Sequence, residues 1–261
     1  PTGISLNSAG YLTGTPTGYS GSTSVSAVII ATDAEGQAAQ QTINISITSG
    51  DDQFKYTTLL LNGETSVTPF IKDASANNFG LTLAGDVRQD RFSPYYGNGY
   101  YSLYISTASS YLGFSQPALG NTFTIEMWVY PLAAGSSTYY YVGGSASGPL
   151  IGYNGTTFSV AHQGGWSISS SANPTLNTWN HIALVREGTG TNQFKLYLNG
   201  TLTGTGTDAT TFGAQTSGTI GGSSSAQLGY ISNFRIVNNQ VLYTGNFTPS
   251  TTPLTASTVG A

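Results

Sequence analysis

The sequence contains no cysteine and very little charge. Charged side chains make up 7% of its 261 residues, and it has only two histidines. A chain without Cys can form neither a disulfide nor a thiolate metal site, and two histidines alone do not favour a zinc site. The charged fraction lies far below the roughly 25% of an ordinary soluble domain. Solubility must therefore come from Ser, Thr, Asn and Gln side chains, a surface typical of secreted and virion-surface β-proteins.

Basic patches and long apolar runs are also missing from the sequence. The sequence has seven Lys and Arg residues and eleven Asp and Glu residues, which gives a formal net charge of −4. This balance argues against nucleic acid as a partner, because surfaces that bind nucleic acid are basic. No apolar run approaches the ~18 residues that a membrane-spanning helix needs, so we expect no membrane insertion.

Short segments of alternating hydrophobicity are what the sequence does contain. Residues 179–186 and 194–198 form two such segments, and Phe194, Leu196 and Leu198 share one face of the second. The Asn199-Gly200 pair that follows supplies the positive-φ residues of a tight hairpin turn. Gly, Asn and Ser clusters at short spacing favour a sandwich over βαβ units. The predicted strands of this part are 58–61, 102–105, 123–130, 139–142, 157–162, 181–186, 194–198 and 229–237.

Several motifs in residues 54–261 resemble a known fold family. They are the W-N-H-I-A-L-V-R strand at 179–186, L-Y-L-N-G at 196–200, F-T-I-E-M-W-V-Y-P at 123–131 and the closing segments 230–237 and 243–249. Together they resemble concanavalin A-like sandwiches of the laminin G-like type. The resemblance implies an all-β antiparallel sandwich that usually serves as a recognition module. The L-Y-T-x-N-F-T-P close is similar to that of large phage structural proteins and of some bacterial surface proteins.

The first 49 residues form a separate unit. Their P-x-G-I-S-L-N, G-x-L-x-G-T-P and A-T-D-A-x-G segments resemble the second half of bacterial and phage Ig-like, cadherin-like repeats. Such a repeat runs to ~100 residues, so we expect the chain to be part of a longer protein. The predicted organisation is a partial repeat at 1–49, a junction at 50–53 and the sandwich at 54–261.

Paired carboxylates, which glycosidases require, are not evident in the sequence. Retaining glycosidases hold their two carboxylates ~5 Å apart, as residues two or four apart on a strand can do. The four glutamates are Glu35, Glu64, Glu126 and Glu187, and no two of them are neighbours. We therefore predict that the chain is not an enzyme.

Calcium is the cofactor that the turns could bind. Asp73 matches the rim position of laminin G-like relatives, and Asp33 with Glu35 resembles a cadherin-like D-x-D/E-G turn. Such a site needs 6–8 oxygen ligands. The alternative is that these acids only form turns, as Asp commonly does. Glu187 and Asp208 are interpreted as solvated loop acids, and His181 as a hydrogen-bonded structural residue.

Aromatic residues are the candidates for ligand binding. The chain has 17 Tyr, several of them in clusters such as Tyr139-Tyr140-Tyr141. Trp166 follows two glycines that allow close backbone approach. We predict that Trp166, Gln163 and Tyr140 contact a glycan. The alternative is that the Tyr clusters form core or subunit interface, where Tyr is enriched.

These observations favour a non-enzymatic structural or adhesion module of a phage tail or capsid fibre that binds host-surface glycans. Its expected place is the virion surface. Its expected partners are the host glycan or receptor and sister subunits of a homo-oligomer, for which a trimer is plausible. The alternatives are a bacterial secreted or surface adhesin or filament subunit of the same architecture, and a purely architectural coat protein. Fold resemblance does not choose among them.

Overall fold

The computed structural model describes residues 4–7, 10–14, 23–47, 56–63, 71–95, 101–134, 137–144, 148–162, 165–222 and 225–254. The chain divides into two compact units, Pro1–Asp52 and Gln53–Ala261. Within the described residues no helix is long and apolar enough to cross a membrane.

The described residues of the first unit form two antiparallel hairpins. β1 (Ile4–Leu6) pairs with β2 (Leu12–Gly14), and β3 (Thr23–Thr32) pairs with β4 (Ala38–Ile47) in unbroken register. The β3–β4 turn is closed by Asp33, whose Oδ1 accepts hydrogen bonds from the N–H groups of Glu35 and Gln37.

The second unit is a two-sheet sandwich. Its described strands are β5 (Thr57–Leu61), β6 (Thr82–Ala84), β7 (Val87–Asp90), β8 (Ser102–Ile105), β9 (Tyr111–Gln116), β10 (Phe123–Pro131), β11 (Tyr139–Val142), β12 (Leu150–Tyr153), β13 (Phe158–His162), β14 (Gly165–Ser169), β15 (Asn180–Arg186), β16 (Phe194–Leu198), β17 (Thr201–Gly206), β18 (Gln215–Gly221) and β19 (Gly229–Asn238). The smaller sheet has the strand order β14-β13-β12-β11-β18-β9-β6, and the larger has β17-β16-β15-β10-β19-β8-β7, with β5 also pairing with β19. The pairs between these strands are antiparallel, which confirms the predicted all-β sandwich.

The core lies between the two sheets and follows from the period-two alternation of the strands. Along β10, Ile125, Met127 and Val129 are fully buried in this core. Each such side chain contributes about 1.5–3 kcal/mol through its burial. The residues that alternate with them, Glu126, Trp128 and Tyr130, point to the opposite, outer face of the larger sheet. This outer face carries the candidate site.

The outer face is partly covered by residues 241–249, here called the C-terminal strap. Ala183, Val185 and Tyr197 of the sheet form a second apolar cluster with Tyr243 of the strap, and Phe247 packs against this cluster. β16 is therefore buried on both faces, although its alternation predicts a half-buried strand. The strap covers the outer face of β16, and the alternation within β16 cannot reveal this contact because the strap is distant along the chain.

A two-residue turn anchors the strap. Asn199 and Gly200 both have positive φ and connect β16 to β17, as the sequence predicts. The N–H of Phe247 donates to the Gly200 carbonyl at 2.9 Å. A Cβ at Gly200 would collide with the Phe247 carbonyl oxygen, so glycine is required both for φ and for space.

Candidate functional site

A row of aromatic side chains crosses the outer face of the larger sheet. In the strand register Tyr130 pairs with Tyr230, Tyr230 with Tyr104, and Tyr104 with Arg88. Paired residues on neighbouring strands put their side chains on the same face, about 5 Å apart. Trp179, immediately before β15, extends the row beyond Tyr130.

Phe92 lies against this row and joins it into one surface. Its ring centroid lies 4.7 Å from that of Tyr130, 4.8 Å from Tyr230 and 5.2 Å from Trp179. Tyr104 and Tyr230 are 4.7 Å apart. Offset and edge-to-face pairs of this kind contribute about 0.5–1.5 kcal/mol each beyond area burial. We call the surface formed by Phe92, Tyr104, Tyr130, Trp179 and Tyr230 the aromatic platform.

The aromatic platform keeps part of its ring area open to solvent. Phe92 is 39% exposed, and the other four side chains are half-buried. Partial burial and the nearby charge of Asp90 raise the pKa of Tyr230, so its hydroxyl is neutral at physiological pH. The guanidinium of Arg88 lies over the Tyr104 ring, 5.6 Å from its centroid. The surface thus combines flat apolar ring faces with tyrosine hydroxyls and one cation.

A buried polar network lies on the same outer face, beneath the strap. Oε1 of Glu126 accepts from Nε of Arg235 at 2.7 Å. Oε2 lies 3.1 Å from Nε2 of His181 and accepts from the Tyr243 hydroxyl at 2.8 Å. All four side chains come from different segments of the chain, and all are buried.

Electrostatics within this network keep Glu126 ionised. Burial alone would raise the pKa of its carboxyl, but the charge of Arg235 and the contacts with His181 and Tyr243 outweigh burial and lower the pKa to about 2. A carboxylate held ionised and out of solvent cannot act as a general acid on a bound sugar. Glu126 therefore fixes the sheet, and His181 is the hydrogen-bonded structural residue that the sequence predicts.

Of the three residues predicted to contact a glycan, only Tyr140 has a side chain within the described part of the structure. Tyr140 is 1% exposed and packs against Tyr153 and Phe158 in the core, so the prediction of a glycan contact by Tyr140 is wrong. Gln163 lies outside the described residues. Trp166 belongs to β14, where its backbone pairs with Ala161, and its side chain lies outside the described part.

The calcium prediction for Asp73 is also wrong. Its Oδ1 accepts from the N–H groups of Leu60 and Ser75, and its Oδ2 from the Ser75 hydroxyl and the Phe79 N–H, all at 2.8–3.0 Å. These four donors use the lone pairs that a cation would need and point positive hydrogens at its position. The buried Asp73 instead ties the loop after β5 to that strand.

Asp33 and Glu35 form the turn described above. Across the described residues, no group of three or more His, Cys, Asp or Glu side chains could hold a metal ion. The structure therefore favours the alternative left open by the sequence, in which Asp33 acts as a turn former.

Asp208 is buried, contrary to the interpretation that it is a solvated loop acid. Its Oδ2 lies 2.7 Å from Nδ1 of His162, and its backbone carbonyl accepts from Arg186. His162 Nε2 is 3.1 Å from the Thr210 hydroxyl. Arg186 also donates to the Thr210 carbonyl, so the cluster fixes the loop between β17 and β18.

The comparison with protein families agrees with the fold. A family model described as the concanavalin A-like lectin/glucanases superfamily matches residues 106–242, and the chain belongs to that superfamily. None of the curated proteins compared with the sequence matches it.

Solved structures share the fold at low sequence identity. Domain 4 of AbnA, a GH43 extracellular arabinanase from Geobacillus stearothermophilus, solved in complex with arabinotriose, has a TM-score of 0.54 at 16% identity. That match covers 78% of this chain and 98% of the domain. The binding domain of botulinum neurotoxin serotype C1 also has a TM-score of 0.54 at 16% identity, covering 71% of this chain and 49% of that one. The chain thus spans about half the length of the toxin domain.

Proposed function

We propose that this chain is a non-enzymatic carbohydrate-recognition module whose glycan lies on the aromatic platform. The observation that carries the proposal is the contiguous set of five partly exposed rings on one sheet face. Pyranose and furanose rings present apolar C–H faces that stack on such rings. The hydroxyls of Tyr104, Tyr130 and Tyr230 can donate to and accept from sugar hydroxyls.

Recognition by solved relatives of the same fold supports this class of ligand. The arabinanase domain was solved in complex with arabinotriose, and a further structure of type C neurotoxin describes entry that depends on two ganglioside molecules. Fold likeness alone does not assign a ligand, so the assignment depends on the platform.

Binding without catalysis is favoured by the state of the acidic side chains. Glu126 is sequestered by Arg235 and His181, and Glu187 is paired with Lys195 at 2.6 Å. Asp73 and Asp208 have their oxygens committed to hydrogen bonds or to His162. Each of these acids has a structural role, which leaves the platform as a binding surface.

The biological setting that we propose is a phage virion, with the module on a tail or capsid fibre and the first unit as part of an Ig-like repeat. The phage-like closing motif and the low charge support a virion-surface protein with sister subunits as partners. A bacterial secreted or surface adhesin of the same architecture is the second candidate, supported by the same motif. A purely architectural coat protein would leave the aromatic platform without a ligand.

A glycan array with two tryptophan variants tests the proposal. We expect the wild-type chain to bind selected polysaccharides without releasing reducing ends. Trp179→Ala should weaken binding roughly thirtyfold, as loss of an aromatic hot spot costs about 2 kcal/mol or more. Trp166→Ala changes the position that the sequence predicts as a glycan contact, and it binds like wild type if the platform alone holds the glycan.

Three results would overturn the proposal. Equal binding by Trp179→Ala and wild type would remove the platform as the site, and weakening by Trp166→Ala alone would return the site to the β13–β14 loop. Product release would show an enzyme. Thermal unfolding of both variants separates loss of binding from loss of fold.

A further inference from the structure

The exposed cations among the described residues are concentrated at one edge of the sandwich. Of the seven Lys and Arg residues, Arg186 and Arg235 are buried, and Lys195 is paired with Glu187. Lys55 lies outside the described residues. The remaining three, Lys72, Arg88 and Arg91, are all exposed. They lie within or beside a single groove.

This groove of about 560 Å³ lies where the two sheets end. Leu83 from β6, the edge strand of the smaller sheet, lines one side, and Val87 and Arg88 from β7, the edge strand of the larger sheet, line the other. Arg91 and Tyr101 complete the wall. Lys72 follows Ile71, which also lines the groove. The groove therefore has an apolar floor and a cationic rim.

The local charge at this rim is positive in a chain whose net charge is −4. Asp86 lies 2.9 Å from Arg88, and a hydrogen bond from Ser106 with this pairing lowers the pKa of its carboxyl. Asp90 accepts from the Phe92 N–H. Arg91 and Lys72 make no hydrogen bond or ion pair with any residue that the structure describes. Among the described residues, three cations thus lie near two carboxylates, and two of the cations, Arg91 and Lys72, contact no described counter-charge.

Arg88 connects this rim to the aromatic platform. Arg88 lines the groove, and its guanidinium lies over the Tyr104 ring, the first ring of the row. A ligand stacked on Tyr104 and Tyr230 would therefore extend its next substituent toward Arg88 and Arg91. Guanidinium groups bind planar carboxylates and sulfates through paired N–H donors, which makes arginine the suitable residue for such a group.

We infer that the glycan recognised by this module is acidic, with its carboxylate or sulfate bound at Arg91 and Arg88 while an adjoining sugar ring stacks on the platform. The inference rests on the proposed function, since it names the class of saccharide that the same face takes. Lys72 contributes longer-range attraction at the groove end.

Matched neutral and acidic polymers test the inference by isothermal titration calorimetry. The two pairs are dextran with dextran sulfate, and carboxyl-reduced polygalacturonate with polygalacturonate, so the sulfate and carboxylate arms are separate. We expect the acidic member of at least one pair to bind at least about tenfold more tightly, as one charge-assisted contact supplies. The preference should shrink as salt rises from about 0.05 M to about 0.5 M, because exposed charges are screened.

Three variants assign the preference to the groove. Arg91→Gln should reduce affinity for the acidic polymer about tenfold and leave the neutral one unchanged. Lys195→Gln removes an equal charge five strands away in the larger sheet, roughly 24 Å at the usual strand spacing, and should change neither. Trp179→Ala should weaken both polymers together.

The outcomes separate the two proposals. Equal affinity for acidic and neutral polymers, with binding still lost in Trp179→Ala, would overturn the acidic specificity and leave glycan recognition standing. Equal effects of Arg91→Gln and Lys195→Gln would show that net charge, and not the groove, causes the preference, and would overturn the inference. Failure of every glycan to bind would overturn the proposed function and this inference with it.

Discussion

Arg235 donates its Nε hydrogen to Oε1 of Glu126 at 2.7 Å, and each side chain is only 1% exposed. The pair joins β10 to β19 across the outer face of the larger sheet, beneath the strap. Two opposite charges removed from water in this way are costly to separate, because the remaining charge has no solvent to screen it. The stability of the second unit therefore depends on both partners being present.

Removal of one member of the Arg235–Glu126 pair should destabilise the fold more than removal of both. We expect Arg235→Met to lower the free energy of unfolding by about 3–5 kcal/mol, because it leaves Glu126 buried without its cation. The double variant Arg235→Met with Glu126→Gln should recover part of this loss. Urea unfolding of the two single variants and the double variant measures the coupling. If the free-energy changes of the two single variants simply add up in the double variant, the two side chains are not coupled as a buried ion pair.

Acid should weaken the same network. The pKa of Glu126 is about 2 in the folded chain and 4.5 as an unperturbed group, so the unfolded state takes up a proton first. The stability from this carboxylate is complete above about pH 4.5 and is lost as the pH falls toward about 2. Urea unfolding at several pH values in this window checks the slope. Tyr243→Phe, which removes one donor to Glu126, should be less stable by about 1 kcal/mol at neutral pH and lose less on acidification.

Asp73 should be important for stability without any metal. Asp73→Asn replaces an acceptor oxygen by an amide donor opposite N–H and O–H groups, and should lower the free energy of unfolding by about 2–3 kcal/mol. Addition of a calcium chelator should leave the melting temperature of the wild-type chain unchanged, since a ligand stabilises only a native state that binds it. A chelator-induced drop in melting temperature that Asp73→Asn abolishes would restore Asp73 as a calcium ligand.

Two glycines test the anchoring of the strap. Gly200→Ala places a Cβ at φ +77° against the Phe247 carbonyl, and should cost about 1–3 kcal/mol of stability. Gly245→Ala, within the strap itself, meets no atom within 4 Å and should be nearly neutral. Thermal unfolding compares them directly. A similar loss in both would mean that the strap, and not the turn, is sensitive.

The strongly alternating or aromatic strands were predictable from the sequence. The predicted segments 102–105, 139–142 and 194–198 have the same bounds as β8, β11 and β16. Alternating apolar side chains in the first and third, and aromatic residues in the second, are typical of strands with a buried face. By contrast β14, β17 and β18 contain Gly, Ser and Thr at most positions and carry no such pattern. Their place in the sheets is decided by neighbours, not by their own side chains.

The candidate site was less predictable. Alternation in the 123–130 segment puts Trp128 and Tyr130 on the face opposite to Met127, but it does not reveal that Phe92 and Trp179 reach the same surface. Phe92 follows β7 and Trp179 precedes β15, so both are distant along the chain from β10. Tyr140 was misassigned for a related reason. A tyrosine cluster looks the same in sequence whether its rings face a ligand or the core.

The hydrogen bonds between β5 and β19 have a consequence for biosynthesis. Thr58 donates to the Ile236 carbonyl across 178 residues of sequence, and β19 also separates β10 from β8 in the middle of the larger sheet. Until the ribosome has released β19, neither β5 nor β10 can complete its pairing, and their apolar faces remain exposed to solvent. Contacts so distant along the chain make folding slow, and apolar faces left uncovered until β19 is synthesised favour aggregation of the nascent chain.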